Sequence, residues 1–457
     1  MDHTFPQQVS TEAFLEAFFY MFACVGVLAG LLGLILLDVG LVQVKNVTDT
    51  IVQKIAGAMI GGVSFVLCGY AVWNLQFYQA LGVPNPAGQA FADYWLFGTL
   101  LTTSSIHLDP ATMPTADTQQ IFAAFFFMFA GLTCALIHGA GVERMKAAPY
   151  YIMCVLSSMI FMPLLVYLTY GSGSILTNAG MHDFVGTYSL YLYVGTWGLV
   201  LAWKLGPRRH IAKAPVNIVA LATGSLILMC GISMFVVGCG FVQPGHGYFG
   251  ITTGDSSLGL TFVSLFLSFG GGGITGALIA DLRKMPVYII LGPLAGYISC
   301  SALFDLAQPW ETLLIGALGP VVMWLTEILV RRSGIDELKI APLALGPGLL
   351  SCLAAGIIGA GTTGGGYFDV EKGAYAYHHA VVSIGMQALG IVGVVGGTAI
   401  VALIVVTILD RTIGLRVTPE QEEAGLDASF WEAPPNQPRH RAVAPARQGA
   451  PALAADR

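Results

Sequence analysis

The stretch FFFMFAGLTCALIHGAGVERMKAAPY, residues 125–150, shows the pattern that decides the fold of this chain. An apolar run ends at a short charged turn that contains Glu143, Arg144 and Lys146, and a second apolar run begins directly after it. A bilayer core about 30 Å thick needs about 20 apolar residues in a helix. The stretch therefore predicts two membrane-spanning helices that are joined by a short, positively charged loop.

The same pattern recurs along most of the chain. Of its 457 residues, 55% are apolar and 10% are charged, whereas soluble proteins carry about 25% charged residues. Eleven apolar segments are candidate spans: 13–37, 55–79, 119–141, 148–170, 188–203, 216–240, 258–280, 286–304, 310–330, 341–360 and 380–409. Residues 92–104 are too short to span and predict a surface helix or a re-entrant segment. We predict an all-α integral membrane protein with eleven transmembrane helices.

Glycine is unusually frequent, with 57 residues in the chain. Small side chains let the backbones of membrane helices approach closely. The clusters at 270–273, 364–366 and 396–397 therefore predict tight helix packing around a narrow feature.

Composition and motifs argue against several classes of protein. A net charge of −6 is not the footprint of a nucleic-acid-binding protein. The eight cysteines stand singly in apolar stretches without C-x-x-C spacing, so we interpret them as core residues. The sequence shows no catalytic triad, phosphate-binding loop, acid pair or metal-ligand spacing. We predict neither enzymatic activity nor a cofactor or metal site.

The basic residues predict the orientation in the membrane, because cytoplasmic loops are enriched in Lys and Arg. With the N-terminus outside, the short loops place 13 basic residues inside and only Lys372 outside. The N-terminus contains no Lys or Arg, so we expect an uncleaved first span rather than a signal peptide. We predict a multi-pass protein of the inner (plasma) membrane, N-out and C-in.

This topology divides the chain into four parts. Residues 1–12 form a short extracytoplasmic N-terminus, and residues 13–409 form the transmembrane domain. Residues 410–432 form a cytoplasmic tail that we expect to be ordered, with a helix start at Thr418. Residues 433–457 are rich in Pro, Ala and Arg and predict disorder.

Five segments carry a resemblance to a known family. They are GLVQVKNVTDTIVQKI (40–55), FFFMFAGLTCALIHGAGVERMKAAPY (125–150), GMHDFVGTYSLYLYVG (180–195), RSGIDELKIAPLALGPG (332–348) and GLRVTPEQEEAGLDASF (414–430). In this order they resemble signature segments of the Amt/Rh ammonium transporters. The resemblance implies a homotrimer in which each protomer has two inverted five-helix repeats, a C-terminal eleventh helix and its own central pore. It implies a channel or transporter for ammonium or ammonia.

The resemblance also implies an outer substrate site and a gate. The acidic residue of the outer site is Asp183, which we expect to be held by backbone N–H groups because a carboxylate near a membrane segment is costly. This role and direct attraction of the cation are compatible. The other outer-site positions correspond to Tyr170 and Cys239. The resemblance places a phenylalanine gate at Phe129 and Phe235, with Phe125 one helical turn before Phe129.

The chain departs from the family at the paired histidines that line the pore. The matching positions are Tyr191 and Leu345, and Val236 replaces an asparagine beside the gate. No histidine occurs between His182 and His210 or between His246 and His378, so a small shift of the alignment does not restore the pair. These side chains do not form an imidazole relay that titrates near neutral pH. We interpret His138 as a buried helix-contact residue and His182 as a candidate for the outer vestibule.

Three functions therefore stay open. The first is an ammonium or ammonia channel. The second is an apolar-pore channel for an uncharged gas such as carbon dioxide, and the third is a non-conducting receptor or structural subunit of a membrane assembly. The resemblance implies a PII-like cytoplasmic regulator or a larger membrane assembly as possible partners besides the lipid bilayer. The family's H-G-E-x-A-Y finish is replaced here by residues 431–433, which puts regulated gating in doubt.

Overall fold

A computed structural model describes most of the chain. The described residues are 5, 7, 10–111, 113, 115–210, 217–243, 246–254, 256–337, 339–370 and 373–431. The predicted disordered end at 433–457, most of the N-terminus at 1–12 and Lys372 lie outside the described residues.

The described residues are mostly helical. The helices are α1 (Thr11–Leu41), α2 (Val47–Ser64), α3 (Tyr70–Ala80), α4 (Pro86–Tyr94), α5 (Thr99–Thr102), α6 (Ala116–Gly141), α7 (Ala147–Leu156), α8 (Met162–Thr169), α9 (Tyr193–Leu205), α10 (Ile218–Gly238), α11 (Leu258–Arg283), α12 (Val287–Cys300), α13 (Pro309–Arg332), α14 (Gly346–Ile358), α15 (Ile384–Thr412), α16 (Pro419–Ala424) and α17 (Leu426–Phe430). Two short antiparallel hairpins join them: β1 (Gly240–Gln243) with β2 (Gly247–Gly250), and β3 (Thr363–Gly364) with β4 (Ala380–Val381).

Nine helical stretches in the described part of the chain are long and apolar enough to cross a membrane. Two shorter helical stretches occupy the remaining predicted spans, at Tyr188–Leu205 and Val287–Cys300. The prediction of a multi-pass, all-α membrane protein is confirmed, and the number of eleven crossings stays a prediction. Residues 92–104 form parts of short helices, α4 and α5, rather than a span.

Helices α1 and α10 cross at a seam of glycines. A Cβ atom added at Gly33 would lie 2.5 Å from the backbone nitrogen of Leu228, and one at Gly231 would lie 2.5 Å from that of Gly30. Such close approach is possible only without side chains at these positions. The seam fixes α1 against α10, the first and sixth predicted spans.

The prediction of close helix packing at glycines is confirmed for the cluster at 270–273 and is wrong for the cluster at 396–397. A Cβ at Gly272 would lie 2.3 Å from the Gly292 carbonyl oxygen, so α11 and α12 touch backbone to backbone. Gly396 and Gly397 in α15 instead have open space where a Cβ would stand. The expectation of tight packing is wrong there, because these glycines lie on a helix face without close neighbours among the described residues.

Single π-helical turns begin two helical stretches in corresponding places. The turn Tyr188–Leu192 continues into α9, and the turn Ala341–Leu345 continues into α14. A buried carboxylate precedes each turn and accepts hydrogen bonds from backbone N–H groups at its start: Asp183 for the first and Glu337 for the second. The correspondence supports the predicted pair of repeats.

The loops that carry the basic residues meet the tail at one end of the molecule. The backbone N–H of Lys146 donates to the Leu415 carbonyl oxygen over 2.9 Å. Asp427 accepts hydrogen bonds from the backbone N–H groups of Thr48 and Asp49 at the start of α2. The tail forms the short helices α16 and α17, and Thr418 caps α16 as the sequence predicts.

Candidate functional site

The loop before the Tyr188–Leu192 turn holds Asp183 in a fully buried position. One carboxylate oxygen accepts hydrogen bonds from the backbone N–H groups of Gly186 (3.2 Å) and Thr187 (2.9 Å), and the other from that of Tyr188 (3.1 Å). Burial raises the pKa of Asp183 to about 6, and the backbone N–H groups oppose this shift. The carboxylate is held by backbone N–H groups, as expected from the sequence, and is ionised at neutral pH.

Tyr170 and Cys239 lie together beside Asp183. The Tyr170 hydroxyl, the Cys239 thiol and the Asp183 carboxylate are near neighbours, and all three side chains are buried. The Trp73 indole donates to the Tyr170 backbone carbonyl over 2.7 Å, which fixes the end of α8. The three residues predicted for the outer site therefore lie in one place.

The predicted gate is a stack of aromatic rings. The ring centroids of Phe129 and Phe235 lie 6.1 Å apart, and those of Phe125 and Phe235 lie 5.6 Å apart in nearly parallel planes. Tyr170 also stacks on Phe129, with ring centroids 6.3 Å apart. All four side chains are buried, and the stack lies between the predicted outer site and the cavity that Phe235 lines.

An elongated cavity of 60 Å³ begins beneath this stack. Phe235 lines one end, and Lys339, in the loop before α14, lines the other. Along α1 the lining extends from Gly26 to Leu37, which is about 16 Å of helix. The only polar side chains among the described lining residues are Tyr191, Tyr297 and Lys339. The cavity therefore offers a narrow apolar route toward the basic end of the protein.

Tyr191, one of the two positions that the sequence matches to the pore histidines of the family, lines this cavity from the π turn. Its hydroxyl donates a hydrogen bond over 2.9 Å to the hydroxyl of Tyr297 on α12. Both rings are buried, with centroids 6.0 Å apart. The sequence does not identify Tyr297, because its partner lies 106 residues away and Tyr297 belongs to none of the five family segments.

Leu345 and Val236 are not among the residues that line the cavity. Ala344 lines it instead, while Leu345 packs against α9, where a Cβ on Gly195 would lie 2.6 Å from its own Cβ. The extra residue of a π turn changes which side chains face one side of a helix. The turn accounts for Ala344 in place of Leu345, whereas Val236 lies on the regular helix α10, where the adjacent Phe235 lines the cavity.

Two buried charged groups, Asp38 and Lys54, meet the half-buried Lys339 at the basic end of the cavity. The Asp38 carboxylate forms an ion pair with the Lys54 ammonium over 2.6 Å and a second one with the ammonium of Lys339. Lys54 also donates a hydrogen bond to the Ala135 carbonyl oxygen over 2.5 Å. Burial lowers the pKa of Lys339 to about 7, and the adjacent Asp38 carboxylate stabilises its charged form.

Sequence reasoning missed this cluster although a signal was present. Asp38 stands inside an apolar run near the end of the first span, and ionisable residues within membrane segments mark functional sites by default. Lys54 and Lys339 were assigned only to cytoplasmic loops. Their common partner becomes visible only when the three segments are brought together.

The two histidines that the sequence singled out are structural. His182 is buried, and its Nε2 atom lies 2.8 Å from an Asp305 carboxylate oxygen while its Nδ1 atom lies 3.1 Å from the Thr252 hydroxyl. Thr252 in turn donates to the Asp183 carbonyl oxygen. His182 therefore supports the Asp183 loop rather than facing a vestibule. His138 is buried against the ring of Tyr150, as expected of a helix-contact residue.

Comparisons with known proteins agree with this geometry. The model of the Ammonium Transporter Family matches residues 17–434. The chain belongs to the ammonium transporter family. It is 26% identical over 434 residues to ammonium transporter Amt1 of Methanocaldococcus jannaschii, covering 92% of this chain and 96% of the relative. It is 27% identical over 415 residues to an ammonium transporter of Mycobacterium tuberculosis, covering 85% and 83%.

Solved structures of this family share the fold. A structure described as Sensor Amt Protein matches with a TM-score of 0.71 at 18% identity, covering 92% of this chain and 98% of the other. Mep2 of Saccharomyces cerevisiae matches with a TM-score of 0.68 at 19% identity, covering 89% and 88%. This family member is thus a multi-pass membrane protein of the ammonium transporter type. Family membership favours transport over the gas-channel and receptor alternatives.

Proposed function

We propose that this protein conducts ammonium nitrogen across the membrane in the form of neutral ammonia. The outer site of Asp183, Tyr170 and Cys239 attracts ammonium. The cation releases its proton to the outer water, and ammonia passes the Phe129–Phe235 stack into the cavity. Because the proton stays outside, the passage moves no net charge.

The observation that carries this proposal is the apolar cavity directly beneath the aromatic stack. Its described lining offers two hydroxyl groups that bond to each other, one paired lysine, the ring of Phe235 and otherwise only aliphatic side chains and glycine. An ion that leaves water for such a lining loses its hydration without replacement ligands, whereas a neutral molecule loses far less. A narrow apolar constriction excludes hydrated ions in the same way.

The setting of this function follows from the family and the charge pattern. We propose a homotrimer in the inner membrane, with the N-terminus outside and the tail at 410–432 in the cytoplasm. The transmembrane domain comprises residues 13–409, with the short N-terminus at 1–12 before it and the Pro-, Ala- and Arg-rich end at 433–457 after the tail. We assign it no enzymatic activity and no cofactor. The ordered tail is the surface that a PII-like regulator or a larger assembly would contact.

Filling the cavity tests the route. Leu34 lines the cavity, whereas Leu32 on the same helix is 51% exposed and faces away. We expect wild-type protein in proteoliposomes to accelerate internal alkalinisation after an ammonium gradient is applied, measured by stopped-flow fluorescence. Leu34→Trp should reduce the rate to that of empty liposomes, and Leu32→Trp should keep the wild-type rate.

Two outcomes contradict the proposal. Wild-type protein that gives no flux above empty liposomes supports the non-conducting alternative. A Leu34→Trp protein that is folded and conducts normally places the route elsewhere. Acidification by a carbon dioxide gradient, measured on the same liposomes, tests the gas-channel alternative directly.

A further inference from the structure

The inner end of the cavity carries a carboxylate that the proposed passage of ammonia does not use. Asp38 is almost fully buried, with 1% of its surface exposed, and it follows directly after Leu37, which lines the cavity. A carboxylate in an apolar interior needs a cation or strong hydrogen-bond donors to remain ionised. Here two ammonium groups of the chain itself occupy that role.

The two lysines are bound in different ways. Lys54 is fully buried and is anchored twice, by Asp38 and by the Ala135 carbonyl oxygen, and it does not line the cavity. Lys339 reaches Asp38 from the loop before α14 and lines the cavity with the same side chain. Lys54 is therefore a counter-ion of Asp38 that two partners hold in the interior. Lys339, in contrast, is in contact both with the Asp38 carboxylate and with the cavity.

The other charged side chains near this end of the cavity have partners of their own and do not contact Asp38 in place of Lys339. Glu337 accepts hydrogen bonds from the backbone N–H groups of Lys339, Ile340 and Ala341, so its charge is engaged at the start of the helix. Arg144 and Arg208 are paired with Asp336. A primary ammonium group on a flexible chain is chemically the closest side-chain analogue of methylammonium.

We propose that Asp38 forms a binding site for ammonium-class cations at the cytoplasmic end of the pore, and that the Lys339 side chain occupies it as a built-in ligand. This site rests on the proposed route through the cavity, because it closes the inner end of that route. The occupied site repels a second cation and leaves neutral molecules as the species that pass. Removal of the Lys339 ammonium group opens the site to a free cation.

Binding of methylammonium to purified full-length variants tests this site apart from transport. We expect Lys339→Met to bind methylammonium with an apparent affinity about 10-fold higher than wild type, seen as a larger ligand-induced rise in Tm. Lys339→Gln tests the same change with a polar side chain if Lys339→Met fails to fold. Adding Asp38→Asn to Lys339→Met should abolish the gain, because it removes the carboxylate.

Lys284→Met is the matched control. Lys284 is also paired with an aspartate, Asp281, but both are exposed at the C-terminal end of α11. This variant should bind as wild type does. Folded Lys339→Met and Lys339→Gln proteins that bind no more tightly than wild type would overturn the proposal, as would a gain that survives Asp38→Asn. Absence of ammonia flux in the wild-type protein would contradict the proposed function. The methylammonium binding of the variants would still show whether Asp38 and Lys339 form a cation site, because binding is measured without transport.

Discussion

The hydroxyl group of Tyr191 donates a hydrogen bond to the hydroxyl group of Tyr297 across the cavity beneath the aromatic stack, over 2.9 Å. The π turn before α9 places Tyr191 there, and α12 places its partner. The pair satisfies two polar groups within an apolar route without adding a charge.

Breaking this pair tests whether the hydroxyl groups are structural. Tyr191→Phe leaves the Tyr297 hydroxyl without its partner, and an unsatisfied buried group costs about 1–3 kcal/mol of stability. The double variant Tyr191→Phe/Tyr297→Phe should recover much of this loss, since both groups are then removed. Thermal unfolding of the wild type, Tyr191→Phe, Tyr297→Phe and the double variant measures the coupling, and ammonia flux should stay near wild type throughout. A large loss of flux in the folded double variant would show that the hydroxyl groups take part in conduction.

The aromatic stack should limit the size of the molecule that passes. Phe235→Ala removes the ring shared by Phe125 and Phe129. We expect methylamine permeability to rise several-fold, while the lost core packing costs about 3–5 kcal/mol of stability. Phe262→Ala is the control, because Phe262 is 41% exposed on α11. Unchanged methylamine permeability in a folded Phe235→Ala protein would contradict the assignment of the gate to Phe235.

Cation attraction at the outer site should depend on pH through Asp183. Burial raises its pKa to about 6, so the carboxylate is charged at pH 7 and loses its charge as the pH falls through 6. Methylammonium remains a cation across this range. Its apparent affinity should therefore fall between pH 7 and pH 5, with the ionised fraction decreasing about 10-fold per pH unit below the pKa.

The stability of the fold should change with pH in the opposite direction to the binding of methylammonium. The folded state binds the Asp183 proton more tightly than the unfolded state does. Asp183 therefore destabilises the fold less as the pH falls from 6 toward the ordinary pKa of an aspartate. Asp183→Asn should bind methylammonium weakly at every pH and lose the pH dependence. An affinity that stays constant from pH 7 to pH 5 in wild type contradicts the assignment.

The tail should be anchored by Asp427. Its carboxylate accepts hydrogen bonds from the backbone N–H groups of Thr48 and Asp49, and the nearby Trp431 indole donates to Asp49 over 3.0 Å. Asp427→Ala removes the cap of α2, which is worth about 0.5–2 kcal/mol. Hydrogen–deuterium exchange at residues 414–431 should increase. Asp410→Ala, which removes a more exposed ion pair with Lys204, should leave this exchange unchanged.

Much of the fold could be predicted because its signals are local. Apolar runs of sufficient length, the capping residue Thr418 and the charged turn at Glu143 each act over a few neighbouring residues. The proposed outer site came from motif register, and the structure brings Asp183, Tyr170 and Cys239 together as that register implies.

The missed features depend on contacts between distant segments. Asp38 and Lys339 are 301 positions apart, and nothing in either segment identifies the other as its partner. Ala344 rather than Leu345 lines the cavity beside a π turn, which a match of sequence motifs does not reveal. The open positions at Gly396 and Gly397 show that glycine content alone does not specify a contact.

The central claim is that nitrogen crosses this protein without net charge. The most direct test measures, on the same proteoliposomes, the rate of internal alkalinisation and the electrical current after an ammonium gradient is applied. We predict alkalinisation above empty liposomes with no accompanying current at any ammonium concentration. A saturable inward current that accompanies the nitrogen flux in the wild-type protein would contradict the account.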